Sequence, residues 1–121
     1  MGTRSNIYVE TADGYVGCYC QFDGYPEHMY DQVNKRSHTE MYGIVLRATA
    51  TEGIRCLSDG GPEYYPPSGS VEVLLDPECP QEASPVNYVY VKQQDGSTRW
   101  RDGNSSSWFH TLRDEDGLTL A

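Results

Sequence analysis

Apolar and polar positions alternate at the start of the chain, give way to helical spacing, and alternate again towards the end. In residues 5–11 and 15–22, Ile7, Val9, Val16, Cys18, Cys20 and Phe22 share one face of a period-two pattern, as a half-buried strand pair requires. Asp13-Gly14 between the runs tolerates positive φ and predicts a two-residue hairpin turn. That turn sets Val9 opposite Cys18, Ile7 opposite Cys20 and Tyr8 opposite Tyr19. The second face then carries Asn6, Tyr8, Glu10, Tyr15, Tyr19 and Gln21. A one-residue slip would mix the two sets, so the pattern itself favours this alignment.

Asp23-Gly24 ends the second strand and Pro26 opens a helix, since the first helical position needs no N–H. Met29, Tyr30 and Val33 form its short apolar stripe. Ser37 followed by Glu40 reads as a capping box ahead of Met41, Ile44, Val45 and Ala48, with Gly53 as a stop. One bent helix and two separate helices both fit. Residues 58–70 read as a loop, 71–75 as a short strand and 76–85 as a Pro-rich loop.

A second hairpin spans residues 87–94 and 97–101 around Asp95-Gly96. A two-residue turn there puts Val91 opposite Trp100, with Val89, Val91 and Trp100 as the core face. Tyr88, Tyr90, Lys92, Arg99 and Arg101 make the other face. It also sets Lys92 against Arg99, an unfavourable pair that calls for a longer loop or a nearby acid. Residues 108–112 suggest one more strand, and the final residues are expected to fray. The expected fold is α+β: an antiparallel sheet built from two Asp-Gly hairpins, with one or two helices packed on one face.

At 121 residues the chain is expected to be one domain, 1–121. Its 18 acids against 9 bases give a formal charge of −9, which disfavours direct nucleic-acid or anionic-membrane binding and favours basic partners. No apolar run approaches a membrane span, and the first residues lack the apolar core of a signal peptide, so a cytoplasmic location is expected. Ten Tyr against two Phe suggest rings at half-buried boundaries and contacts.

Four Cys are present, at 18, 20, 56 and 79, and all read as free thiols. Cys18-x-Cys20 has one intervening residue where zinc sites use two to four, and its two thiols share a face with Val16 and Phe22. Neither a metal nor a cofactor is therefore expected. Nothing places His28, His38 or His110 beside a thiol. Asp23 and Glu27 could do acid–base work, but the ordinary roles of such residues are capping a turn and complementing a helix dipole. No phosphate loop, dinucleotide fingerprint or nucleophile elbow occurs. The Tyr88, Tyr90, Lys92, Arg99 and Arg101 set is the sequence's best argument for a ligand, because aromatic rings stack bases and cations hold phosphate.

Gly2-Thr-Arg-Ser5, a first strand, and Tyr19-Cys-Gln-Phe-Asp-Gly-Tyr-Pro26 resemble a family of small, uncharacterised bacteriophage and prophage proteins. In that family the second motif usually reads Tyr-Cys-His-Trp-Asp-Gly-Tyr-Pro; here Gln21 and Phe22 replace the His and Trp. The Tyr-rich closing hairpin is similar too. The resemblance implies a phage context and no mechanism. Within the motifs, Arg4 and Asp23 meet at the open end of the expected first hairpin, which predicts an ion pair clamping the sheet end to the helix at Pro26.

The expected function is an accessory protein that binds and inhibits a host protein, of the anti-CRISPR or anti-restriction kind, and not an enzyme. Tyr8, Tyr19, Tyr25, the Glu63-Tyr64-Tyr65 loop and acidic side chains would make contact with a basic, nucleic-acid-handling protein in the host cytoplasm. A homo-oligomer is compatible with this. The alternatives are a small-molecule binder that sequesters a nucleotide signal on the second hairpin, and a small hydrolase using Asp23, Glu27 or a His.

Overall fold

The computed structural model describes residues 3–67, 74–78, 86–113 and 119–120. In chain order its elements are β1 (Ser5–Thr11), β2 (Gly14–Cys20), α1 (Pro26–Asn34), α2 (His38–Ala48), β3 (Ile54–Ser58), β4 (Gly61–Tyr64), β5 (Tyr88–Lys92), β6 (Thr98–Asp102), β7 (Leu112–Arg113) and β8 (Thr119–Leu120). The first six strands form one sheet in the order β4-β3-β2-β1-β5-β6, and β7 pairs with β8. The fold is α+β, but the sheet is mixed and not antiparallel throughout. β1 runs parallel to β5, and β2 parallel to β3. These two parallel joins link hairpins far apart in the chain, which alternation within a hairpin cannot reveal.

The first hairpin pairs Ile7 with Cys18, Val9 with Val16, Asn6 with Tyr19 and Tyr8 with Gly17. The turn is Ala12-Asp13, with Gly14 (φ 141°) already in β2. The alignment therefore differs by two residues from the expected one. Because side chains repeat every two residues, the sorting into faces is unchanged. Ile7, Val9, Cys18 and Cys20 are buried in the core, whereas Phe22 lies past the end of β2 and is only half-buried. Tyr8 departs from the expected open face: it is buried on the opposite side of the sheet.

The second hairpin pairs Tyr90 with Trp100, Val91 with Arg99 and Lys92 with Thr98. Here the difference is one residue, so the faces exchange members. The Gln93 N–H donates to Ser97 O at 2.8 Å and the Gly96 N–H to Gln93 O at 2.9 Å. The connection is thus a three-residue loop, with Gly96 at φ 92°. The extra residue separates Lys92 from Arg99 and removes the like-charge pair.

Two separate helices cover one face of the sheet. α1 starts at Pro26, and α2 starts at His38 behind the N-cap Ser37, whose Oγ accepts from Glu40 N–H at 3.1 Å. Met29, Val33, Met41, Ile44, Val45 and Ala48 meet Ile7, Val9, Cys18, Cys20, Tyr90 and Trp100 in the main core. α2 closes at Ala48, ahead of the expected Gly53 stop. Gly53 (φ 117°) instead leads into β3, and a Cβ there would lie 2.6 Å from Tyr19 O. The expected loop at 58–70 contains β4, and Glu63 and Tyr64 lie on a strand. Of the expected strand at 71–75, residues 71–73 lie outside the described residues, and Leu74 bridges Gly17. Phe109 bridges Trp100 within the expected strand at 108–112.

Candidate functional site

The strand alternation decides what the back face of the sheet, away from the helices, can offer. The basic-aromatic set expected on the second hairpin does not assemble there. The one-residue difference turns Tyr88, Tyr90 and Lys92 towards the helices and leaves Arg99 and Arg101 behind with Val89 and Val91.

On the helix side, Tyr90 is buried and its hydroxyl donates to Gly24 O at 2.6 Å. Tyr88 packs edge-on to Trp100, centroids 6.1 Å apart. Lys92 is 1% exposed, and its Nζ donates to Asn34 O at 3.0 Å. A cation on the last carbonyl of α1 satisfies an orphan acceptor and complements the helix dipole. Desolvation pushes this ammonium below the usual lysine range.

On the back face, Arg99 donates to Glu78 Oε1 at 3.2 Å and to the Tyr15 hydroxyl at 3.1 Å. Its guanidinium lies 4.0 Å from the Trp108 ring centroid. Buried Arg101 lies 5.3 Å from the same ring and donates to Pro77 O at 2.6 Å and Ser105 O at 3.0 Å. Trp108 Nε1 in turn donates to Glu78 Oε2 at 3.2 Å. Both arginines thus fasten residues 74–78 and 103–109 across the sheet. Glu78, Tyr15 and Trp108 were not legible as their partners, because nothing local links positions so far apart.

The rest of the back face, over β2 and β3, stays at the surface. Tyr19 is half-buried, its hydroxyl donates to Gln21 Oε1, and Arg4 lies beside the phenol. Burial raises the Tyr19 phenol above its usual range, and Arg4 opposes the rise. Half-buried Tyr65 lies next to Tyr19, held by Tyr65 N–H donating to Gly53 O at 3.0 Å. Arg55 stacks on Phe22 at 5.6 Å. Tyr64 leaves this group: its hydroxyl donates to Ile44 O on α2 at 3.2 Å, under Arg47. Tyr25, 40% exposed, packs beside His28 just before Pro26, with ring centroids 5.9 Å apart. The Arg4–Asp23 ion pair is absent among the described residues. With the two-residue change of alignment Asp23 no longer stands opposite Arg4: Arg4 lies beside the Tyr19 phenol, and Asp23 adopts the left-handed region at φ 59°.

The thiols are poor nucleophiles. Burial pushes Cys18 far up and Cys20 up to about 12. Cys56 donates to Glu63 Oε2 at 2.7 Å, and that hydrogen bond helps push it up to about 11. Cys79 lies outside the described residues. Among the described residues no group of three His, Cys, Asp or Glu is placed to hold a metal.

Two clefts are described. One, of about 480 Å³, is lined by Arg4, Asn87, Tyr88, Asp102, Asn104 and Ser105 among others. The other, of about 530 Å³, runs between α2 and β4 past Thr39, Glu40, Gly43, Arg47, Pro62 and Tyr64. Neither is lined by Asp23, Glu27 or a histidine. No family model matches the chain significantly, and no curated protein or solved structure does so either.

Proposed function

We propose that this chain is a binding protein without catalytic chemistry, which contacts a protein partner through the surface around Tyr19 and Tyr65. The observation that carries this reading is the fate of the cations. Lys92, Arg99 and Arg101, which a nucleotide ligand would need, are engaged by Asn34, Glu78, Pro77 and Ser105. What remains at the surface over β2 and β3 is Tyr19 and Tyr65 beside Arg4 and Gln21, with Arg55 stacked on Phe22, on a chain of charge −9. Tyrosine supplies large contact area at low entropic cost, and the net negative charge of the whole chain favours a basic partner. In the phage setting that the motifs resemble, the partner is a host protein that handles nucleic acid, a CRISPR or restriction component for example, and binding blocks it.

The test is capture of host proteins by the immobilised chain at stepped salt concentrations, beside a Tyr19→Ser/Tyr65→Ser variant. A partner held at low salt, released as salt rises and lost in the variant supports the reading. Equal capture by the variant, or no specific partner at any salt, overturns it.

A further inference from the structure

Helix α2 buries Met41, Ile44, Val45 and Ala48 and leaves its outer side bare. That side carries Tyr42 and Leu46, 38% and 47% exposed, with Gly43 between them. A Cβ on Gly43 would meet nothing within 4 Å, so no internal crowding requires glycine there. Glycine inside a helix nonetheless costs about 0.5–1 kcal/mol relative to alanine. What it creates is a notch in an exposed helix.

The flanks of the notch match each other. Glu40 and Arg47 stand two turns apart on the same side of α2. Glu40 is 56% exposed and lies 3.2 Å from Arg36 Nε, while Arg47 lies over the Tyr64 ring, 5.1 Å from its centroid, and has no carboxylate partner among the described residues. When a two-fold axis crosses α2 beside Gly43, antiparallel to itself, Glu40 meets Arg47 of the second copy and Tyr42 meets Leu46. Both pairs share a midpoint next to the glycine, where the two backbones can approach most closely. A surface complementary to its own copy in charge and in apolar shape is the signature of an isologous contact.

We propose that the occupant of this face is a second copy of the chain, forming an antiparallel α2–α2 dimer centred on Gly43. One short helix per copy buries less than the roughly 1,200 Å² of a standard interface, so the dimer is weak and concentration-dependent. It leaves the Tyr19 surface free, because that surface lies on the other side of the sheet, and so presents two copies of it.

Sedimentation of the full chain between about 10 μM and about 1 mM tests this. The wild type should shift from monomer to dimer across that range. Arg47→Glu alone and Glu40→Lys alone should each weaken association by about tenfold or more, as each sets like charges together. An equimolar mixture of the two variants should dimerise again, because every cross pair then has opposite charge. Gly43→Leu should fill the notch and give the same loss, and it covers the case in which a charge reversal unfolds the helix. A wild type that stays monomeric throughout, unaffected association in Arg47→Glu, or a mixture of folded variants that fails to associate would overturn the proposal.

Discussion

The ring of Tyr8 lies against the backbone of Gly17, its partner on the neighbouring strand, so closely that a Cβ on Gly17 would sit 2.5 Å from the ring. The Tyr8 hydroxyl reaches on to Asp76 O at 3.3 Å, and Gly17 N–H donates to Leu74 O at 2.7 Å. One glycine therefore lets an aromatic ring lie flat and lets residues 74–78 close over it. Gly17→Ala should destabilise the protein by about 1–3 kcal/mol through overpacking. In a Tyr8→Ala background the same change should cost much less. Urea midpoints for the four proteins of this cycle measure the coupling, and purely additive costs would show that the ring is not what the Cβ meets.

Arg101 holds the same cover from the other side. Its donors go to backbone carbonyls, including Pro77 and Ser105, in place of a carboxylate. Arg101→Met should leave those acceptors without a donor and cost about 2–3 kcal/mol. Arg101→Lys should not rescue it, because an ammonium lacks the planar fork that reaches two segments at once. Proteolysis near residues 74–78 should quicken in both variants; unchanged cutting would mean the segment is held by other groups.

How far the fold could be read in advance turns on these contacts. Face assignment on β1 and β2 survived a misjudged turn because the difference was two residues, and a polar Asn6, Glu10 and Gln21 left one apolar side to choose. β5 offers no such choice. Val89 and Val91 on one side and Tyr90 on the other are all buried, because β5 lies inside the sheet between β1 and β6 with both faces covered. Its alternation then carries no sign, and a one-residue difference moved Tyr88, Tyr90 and Lys92 off the expected site. Strand β3 was missed for a different reason: Ile54 and Leu57 are both buried around a register shift between Ile54 and Cys56, which breaks the period of two.

Buried acids of another kind set the alkaline limit. Cys18, Cys20 and Tyr90 are buried in the protonated form, and desolvation raises all three above their unfolded values of 9.0, 9.0 and 10.0. Above those unfolded values the unfolded chain has lost protons that the native state keeps, so stability falls as pH rises. Each fully coupled group contributes a slope of up to about 1.4 kcal/mol per pH unit. Denaturant stability should decline from pH 9 towards 11, and Cys18→Ala/Cys20→Ala should decline less steeply. Parallel slopes would show that the thiols ionise without penalty in the folded protein.

The three-residue loop of the second hairpin can be tested directly. Gln94, Asp95 and Gly96 separate Gln93 from Ser97, and Gln94 N–H donates to Glu10 Oε1 at 3.0 Å. Deleting Gln94 leaves Asp-Gly as a two-residue turn, which can join the same two strands without moving either. The deletion should keep Tyr90 opposite Trp100 and cost about 1 kcal/mol or less, mainly for the lost bond to Glu10. Nuclear Overhauser contacts between the Tyr90 and Trp100 rings would persist in the shortened protein. Their replacement by Val91–Trp100 contacts would mean that loop length, and not the packing of Tyr90 under α1, sets which residues of β5 face the helices.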